Sequence, residues 1–227
     1  MNTTNLALDR ARQFSLASLL TSYPEDELGE LLAELPLGDH PGAARMREFH
    51  SHDGTVDDLR SAYVDLFDRG GDRASLYETE YGRMRGMSKG HDLADIAGFY
   101  RAFGLDLDAD HARETGDHIA IELEFYSMLL AKQAYLDEHG DGEGSSIVLD
   151  ARKKFLADHL GRFASAIALR GAVKDDEVYG PVFDWVSRIV GGECTALGVA
   201  PPPLDWFADP DAKEEMKCGS VHLPIVS

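Results

Sequence analysis

The sequence predicts an all-α protein, a single-domain helical bundle of about eight or nine helices. Three observations carry this. Apolar residues recur at i, i+3, i+4 and i+7 along most of the 227 residues. No stretch alternates apolar and polar residues around a hairpin dipeptide, and no segment repeats. The glycine-bearing breaks near 70–90 and 139–146 are short for linkers, so residues 1–197 read as one domain with an irregular tail over 198–227.

The first helix runs from Asn5 to Ser22, with Leu8, Ala11, Leu16, Leu19 and Leu20 on or near one face. Pro24 opens a second helix through Leu35, where Ser22 and Glu25 have capping-box spacing. A short helix covers Ala43–Phe49. The next spans Thr55 to Phe67, with Thr55 as N-cap and Leu59, Tyr63, Leu66 and Phe67 aligned at i, i+4, i+7 and i+8. DRGGDRAS (68–75) is a loop by composition, and Leu76–Gly90 has no clear period. A helix from Asp92 to Phe103 stops at Gly104, a C′ glycine. Another runs from Asp117 to Glu138. HGDGEGSS (139–146) breaks the pattern; a long amphipathic helix then covers Ile147–Leu169, and a last one Val178–Leu197, with Phe183 and Trp185 in the core.

The bulk composition bounds the function. Hydrophobic residues make up 44% of the chain, enough for a sizeable core. The formal charge is −19, from 41 acids against 22 bases. That leaves no cationic surplus for nucleic acid or an anionic membrane surface, and it suits a cationic partner steered by the negative field. Acid-driven solubility is the competing explanation of the same charge. Cys194 and Cys218 are too few for a disulfide scaffold, and no apolar run is long enough to span a bilayer, so a cytoplasmic protein is expected. Neither a P-loop, G-x-G-x-x-G, H-E-x-x-H, G-x-S-x-G nor E-x-x-H occurs; GRMRGMSKG (82–90) lacks phosphate-loop spacing. Cys218 and His222 have Cys-x-x-x-His spacing, which is open between weak metal ligation and a plain thiol.

The segment TGDHIAIELEFYSMLLA (115–131) is the most informative. It is apolar nearly all round, yet contains Asp117, His118, Glu122 and Glu124. Charges on a buried helix cost free energy unless paired, hydrogen-bonded or used. Three uses are open: capping and bracing of the helix, acid–base chemistry, or recognition of a partner that combines cations with apolar anchors. The first is the ordinary reading of such residues; the second lacks a nucleophile or second base nearby in sequence.

Two motifs carry a family resemblance. LRSAYVDLFDRGG (59–71) resembles the Tyr-x-x-Leu-Phe motif, as Tyr63, Leu66 and Phe67, of the TorD/DmsD/NarJ chaperones of molybdenum iron–sulfur enzymes. GDHIAIELEF (116–125) resembles their Asp-His-x-x-x-Glu-Leu element, as Asp117, His118, Glu122 and Leu123, without the family's preceding proline. The stretch 75–105 is similar to its NarJ-type counterpart. The tail MKCGSVHLPIV (216–226) looks most like the delta-type chaperones of the dimethylsulfide, selenate, chlorate and ethylbenzene dehydrogenase branch.

The resemblance implies a non-catalytic cytoplasmic helper, monomeric or dimeric. It would bind the N-terminal leader, often of twin-arginine type, of the apo catalytic subunit of a DMSO-reductase-family molybdoenzyme and assist cofactor insertion and export control. It implies no tightly bound cofactor, only transient contact with the molybdenum cofactor. The residues expected to meet the leader are Asp117, His118, Glu122, Glu124 and Phe125, with Tyr63 and Phe67, and with Tyr77, Glu78, Glu80 and Tyr81 as a groove rim. Arginine–carboxylate pairing on an apolar surface is the chemistry such a leader needs. The alternatives are an acidic helical interaction module and a nucleotide-binding protein without a molybdoenzyme client.

Overall fold

The computed structural model describes residues 3–34, 41–52, 54–69, 74–82, 89–105 and 113–204. Among these residues lie nine α-helices of seven residues or more, three short helical turns and no strand. The helices are α1 (Thr3–Thr21), α2 (Leu28–Glu34), α3 (Pro41–His52), α4 (Val56–Tyr63), α5 (Lys89–Ala102), α6 (Ile119–Glu138), α7 (Gly142–Asp158), α8 (Leu160–Ala168), the turn α9 (Gly171–Lys174) and α10 (Tyr179–Leu197). No described helix is long and apolar enough to cross a membrane.

Helix α6 is central because its sequence is apolar around most of its circumference. Ile119, Leu123, Phe125, Tyr126, Leu129 and Leu130 are all buried. α1 lies along one side of it and α7 along another, while α10 closes the bundle against α8, α3 and α1. Phe125 packs its ring 4.8 Å from that of Tyr100 and 4.9 Å from that of Phe155, joining α6 to α5 and α7. Each large side chain buried this way contributes roughly 1.5–3 kcal/mol of transfer free energy.

A polar network also crosses this core. Arg152 of α7 donates to Glu193 of α10 at 2.6 Å, and Tyr126 Oη donates to the same carboxylate at 2.9 Å. Arg10 of α1 pairs with the other Glu193 oxygen, and a second Arg152 nitrogen donates to Gln133 at 2.5 Å. A buried guanidinium and carboxylate are tolerable here because each is both ion-paired and hydrogen-bonded.

Local chemistry explains where the expected elements hold and where they shift. Thr55 caps α4 with a full capping box: Asp58 N–H donates to Thr55 Oγ1 and Thr55 N–H to the Asp58 carboxylate. Ser22 and Glu25 form no such box. The Ser22 hydroxyl turns back to the Ser18 carbonyl at 2.8 Å, and α2 begins only at Leu28. HGDGEGSS is only partly a break, since Asp141 accepts from Gly144 N–H and starts α7 at Gly142.

The long helix expected over 147–169 is two helices, broken at His159, whose φ of −129° and ψ of −99° are non-helical. The break lets the start of α8 approach the segment after α10. A Cβ on Gly161 would lie 2.7 Å from Pro201 Cγ and would collide with the Leu156 carbonyl oxygen. α10 ends at Gly198 in the left-handed conformation, φ 66°.

Candidate functional site

The N-terminus of α6 is held by the loop 74–82. Ile119 N–H donates to the Leu76 carbonyl and Glu78 N–H to the Asp117 carbonyl, both at 2.9 Å, forming one isolated bridge between Tyr77 and His118. Asp117 is fully buried and braces this junction: its carboxylate accepts from Thr79 Oγ1 at 2.6 Å and from Thr115 Oγ1 at 2.5 Å. The helix cap is the next residue, His118, whose Nδ1 accepts from Ala120 N–H at 3.2 Å. That bond assigns the ring proton to Nε2, which faces Tyr63 Oη at 3.4 Å. Burial lowers the His118 pKa against the opposing pull of Glu114 and Asp117, so the imidazole is neutral.

His118, Tyr63, Phe67 and Tyr77 line one cavity of about 210 Å³, completed by Tyr23, Leu76, Asp68, Arg113 and Glu114. Phe67 and Asp68 reach it because α4 passes into a π-helical turn, Val64–Asp68, with Arg69 N–H bonded to the Val64 carbonyl. Such turns re-aim the side chains that follow a regular helix. The rings stand edge to face, Tyr63 at 5.6 Å from Tyr23 and 5.2 Å from Phe67, and Tyr77 at 5.1 Å from the His118 ring.

Two carboxylates face this aromatic box. Tyr77 Oη donates to Glu114. Asp68 has a raised pKa, first from partial burial and then from the negative charge of Glu114. Arg113 also lines the cavity, but its ion pair is with Glu25. Aromatic faces beside two acids are the chemistry that suits an alkylated cation, a guanidinium or ammonium side chain.

The other expected residues lie elsewhere. Glu122 is fully buried, and among the described residues neither carboxylate oxygen has a hydrogen-bond partner. Its pKa is raised well above the usual carboxylate range by burial and then by Glu78 and Asp117, which favours the neutral acid inside the bundle. Glu78 is buried against His159 Nδ1 at 2.9 Å, and His159 Nε2 meets Asp95 at 3.1 Å. Glu80 is at the surface, paired with Lys89 at 2.8 Å. Tyr81 is buried, its hydroxyl donating to the Ser75 carbonyl. Glu124 points outward and Phe125 into the core. Cys218 and His222 fall outside the described residues. Among those described, no group of three metal-binding side chains forms.

The cavity acids Asp68 and Glu114 were not apparent from the sequence. Asp68 sits in a charged loop run and Glu114 before the helix, and nothing in their local spacing relates them. The usable signal was the neighbourhood: each lies within four residues of a motif residue, Phe67 or His118.

Comparison with known proteins agrees with the two motifs. A selenate reductase assembly chaperone protein from Thauera selenatis is 29% identical over 157 residues, covering 66% of this chain and 76% of that protein. The profile of the nitrate reductase delta subunit matches residues 24–168, a span that contains both Tyr63-Val-Asp-Leu-Phe67 and the Asp117–Leu123 element. The chain therefore belongs to the nitrate reductase delta subunit family, the NarJ/TorD chaperones.

Proposed function

We propose that this chain is an assembly chaperone for a molybdenum iron–sulfur oxidoreductase, holding the apo catalytic subunit by an arginine-bearing N-terminal leader. The observation that carries the leader reading is the cavity of Tyr23, Tyr63, Phe67 and Tyr77 with Asp68 and Glu114 at its edge. An arginine side chain there stacks its guanidinium on the rings and relieves the repulsion between the two acids. His118, neutral by burial, lends polarity without opposing charge. The family and the selenate reductase chaperone support the client class. Cofactor insertion then happens in the client while its leader is held, in the cytoplasm before export, and the molybdenum cofactor is the client's cargo.

A releasable chaperone needs an affinity near micromolar, about 8 kcal/mol. Calorimetric titration with a synthetic twin-arginine leader peptide tests the site. Asp68→Asn with Glu114→Gln should weaken binding about ten-fold, roughly 1.4 kcal/mol. The leader with both arginines changed to glutamine should lose at least as much. If the folded double variant binds the arginine leader as tightly as the parent, the cavity is not the seat of the cation.

A further inference from the structure

A second concave surface lies well away from that cavity. The cleft between α5, α6 and α7 has a volume of about 580 Å³ and an apolar floor and wall that include Phe99, Phe103, Leu136 and Ile147. Ile147 is 60% exposed, unusual for a large aliphatic residue with this company. Residues 132–136 of α6 are thirteen or more positions beyond Ile119, which at 1.5 Å per residue places the cleft about 20 Å along the helix from the cavity.

The charges at this cleft run against the rest of the molecule. Lys132 Nζ stands 6.0 Å from the Phe103 ring centroid and Lys154 Nζ 5.7 Å from that of Phe99. Neither lysine is in an ion pair among the described residues, and Asp150 is the one carboxylate lining the cleft. On a chain of charge −19, two cations left unpaired beside exposed apolar surface call for an external carboxylate. A second copy of the chain supplies too little of it, since a two-fold contact through this cleft brings four lysines to only two Asp150 carboxylates.

We infer that the α5–α6–α7 cleft docks an amphipathic helix of a protein partner, with apolar anchors on Phe99, Phe103 and Ile147 and acidic residues beside them on Lys132 and Lys154. A helix laid between helices presents its anchors at i, i+3, i+4 and i+7 to such a floor. This inference stands apart from the leader cavity, since it concerns the opposite charge and different residues.

The test uses the full chain and two fluorescent amphipathic helical peptides that share one leucine and phenylalanine stripe. One carries glutamates flanking the stripe and the other lysines; anisotropy is read at low and at physiological salt. The acidic peptide should bind about ten-fold tighter, with the gap narrowing as salt rises. Lys132→Glu with Lys154→Glu should invert the preference, and Ile147→Asp should abolish binding of both peptides. All three positions are at or near the surface, so the fold is retained, as circular dichroism would verify. Equal binding of the two peptides, no binding of the acidic one, or indifference to Ile147→Asp overturns the inference. So does a concentration-dependent dimer in sedimentation that Ile147→Asp disperses, which would make the cleft an interface between copies.

Discussion

Glu122 shows how a single residue can be identified correctly as anomalous and still not face a partner. A carboxylate set into an apolar helix must be paired, used or protonated, and here the protonated form is favoured: among the described residues no donor reaches either oxygen, and Glu78 and Asp117 add like charge. Tyr100, whose hydroxyl could have served, donates to the Gly116 carbonyl at 2.6 Å instead. Replacing this acid by an apolar side chain of similar shape should therefore stabilise the fold. Glu122→Met is expected to raise unfolding free energy by about 1–3 kcal/mol at neutral pH, measured by urea denaturation. The sign of the pH dependence follows. An acid whose folded pKa is raised keeps its proton in the native state after the unfolded chain has released it, so native stability falls as pH rises above the ordinary value of 4.5. The methionine variant lacks that slope, and its advantage should grow from about pH 5 to neutrality. A destabilised variant would mean that Glu122 is held by an interaction other than those described.

At the scale of elements, what was legible in the sequence was whatever local chemistry decides. Thr55 sits three residues before Asp58 and caps α4 by itself, and Gly104 and Gly198 end their helices with φ of 77° and 66°. The α7–α8 break at His159 was not legible, because no proline or glycine occupies that position and distant residues make the break worthwhile. His159 joins Glu78 of the 74–82 loop to Asp95 of α5. The candidate site divides in the same way: Tyr63, Phe67 and His118 followed from the two motifs and Tyr77 from the expected groove rim, while Asp68 and Glu114 meet only through the π-helical turn and the fold. Burial pulls the His159 pKa down, but the bonds and charges of Glu78 and Asp95 outweigh it and leave the pKa raised above 6.5. Its contribution is then fully present below about pH 6.5 and lost as pH rises through the folded value. His159→Ala should cost about 1.5–3 kcal/mol near pH 6 and clearly less near pH 9. A penalty independent of pH would show that His159 acts by packing alone.

Over the whole molecule, α1, α6, α7 and α10 converge on one buried carboxylate. Glu193 accepts from Arg152, Tyr126 and Arg10, so elements far apart in sequence share a single electrostatic node. Nothing in local patterning identified it, since Arg152 and Glu193 each read as a polar residue on an amphipathic helix. The pair is 5% and 6% exposed, so removing one member strands a charge in the core. Such a loss costs roughly 3–5 kcal/mol, a large part of the 5–15 kcal/mol by which domains are typically stable. Glu193→Leu and Arg152→Met should each show it in denaturant unfolding. The double variant removes both charges and trades their desolvation for apolar contact, leaving the Tyr126 hydroxyl and half-buried Arg10 to adjust. It should lose at least 2 kcal/mol less than the sum of the two single losses. Additive losses would mean that the helices are held by packing around Tyr126 and Phe155 and that the ion pair is incidental. Strong coupling would instead make this one salt bridge a joint that ties α1, α6, α7 and α10 to one another.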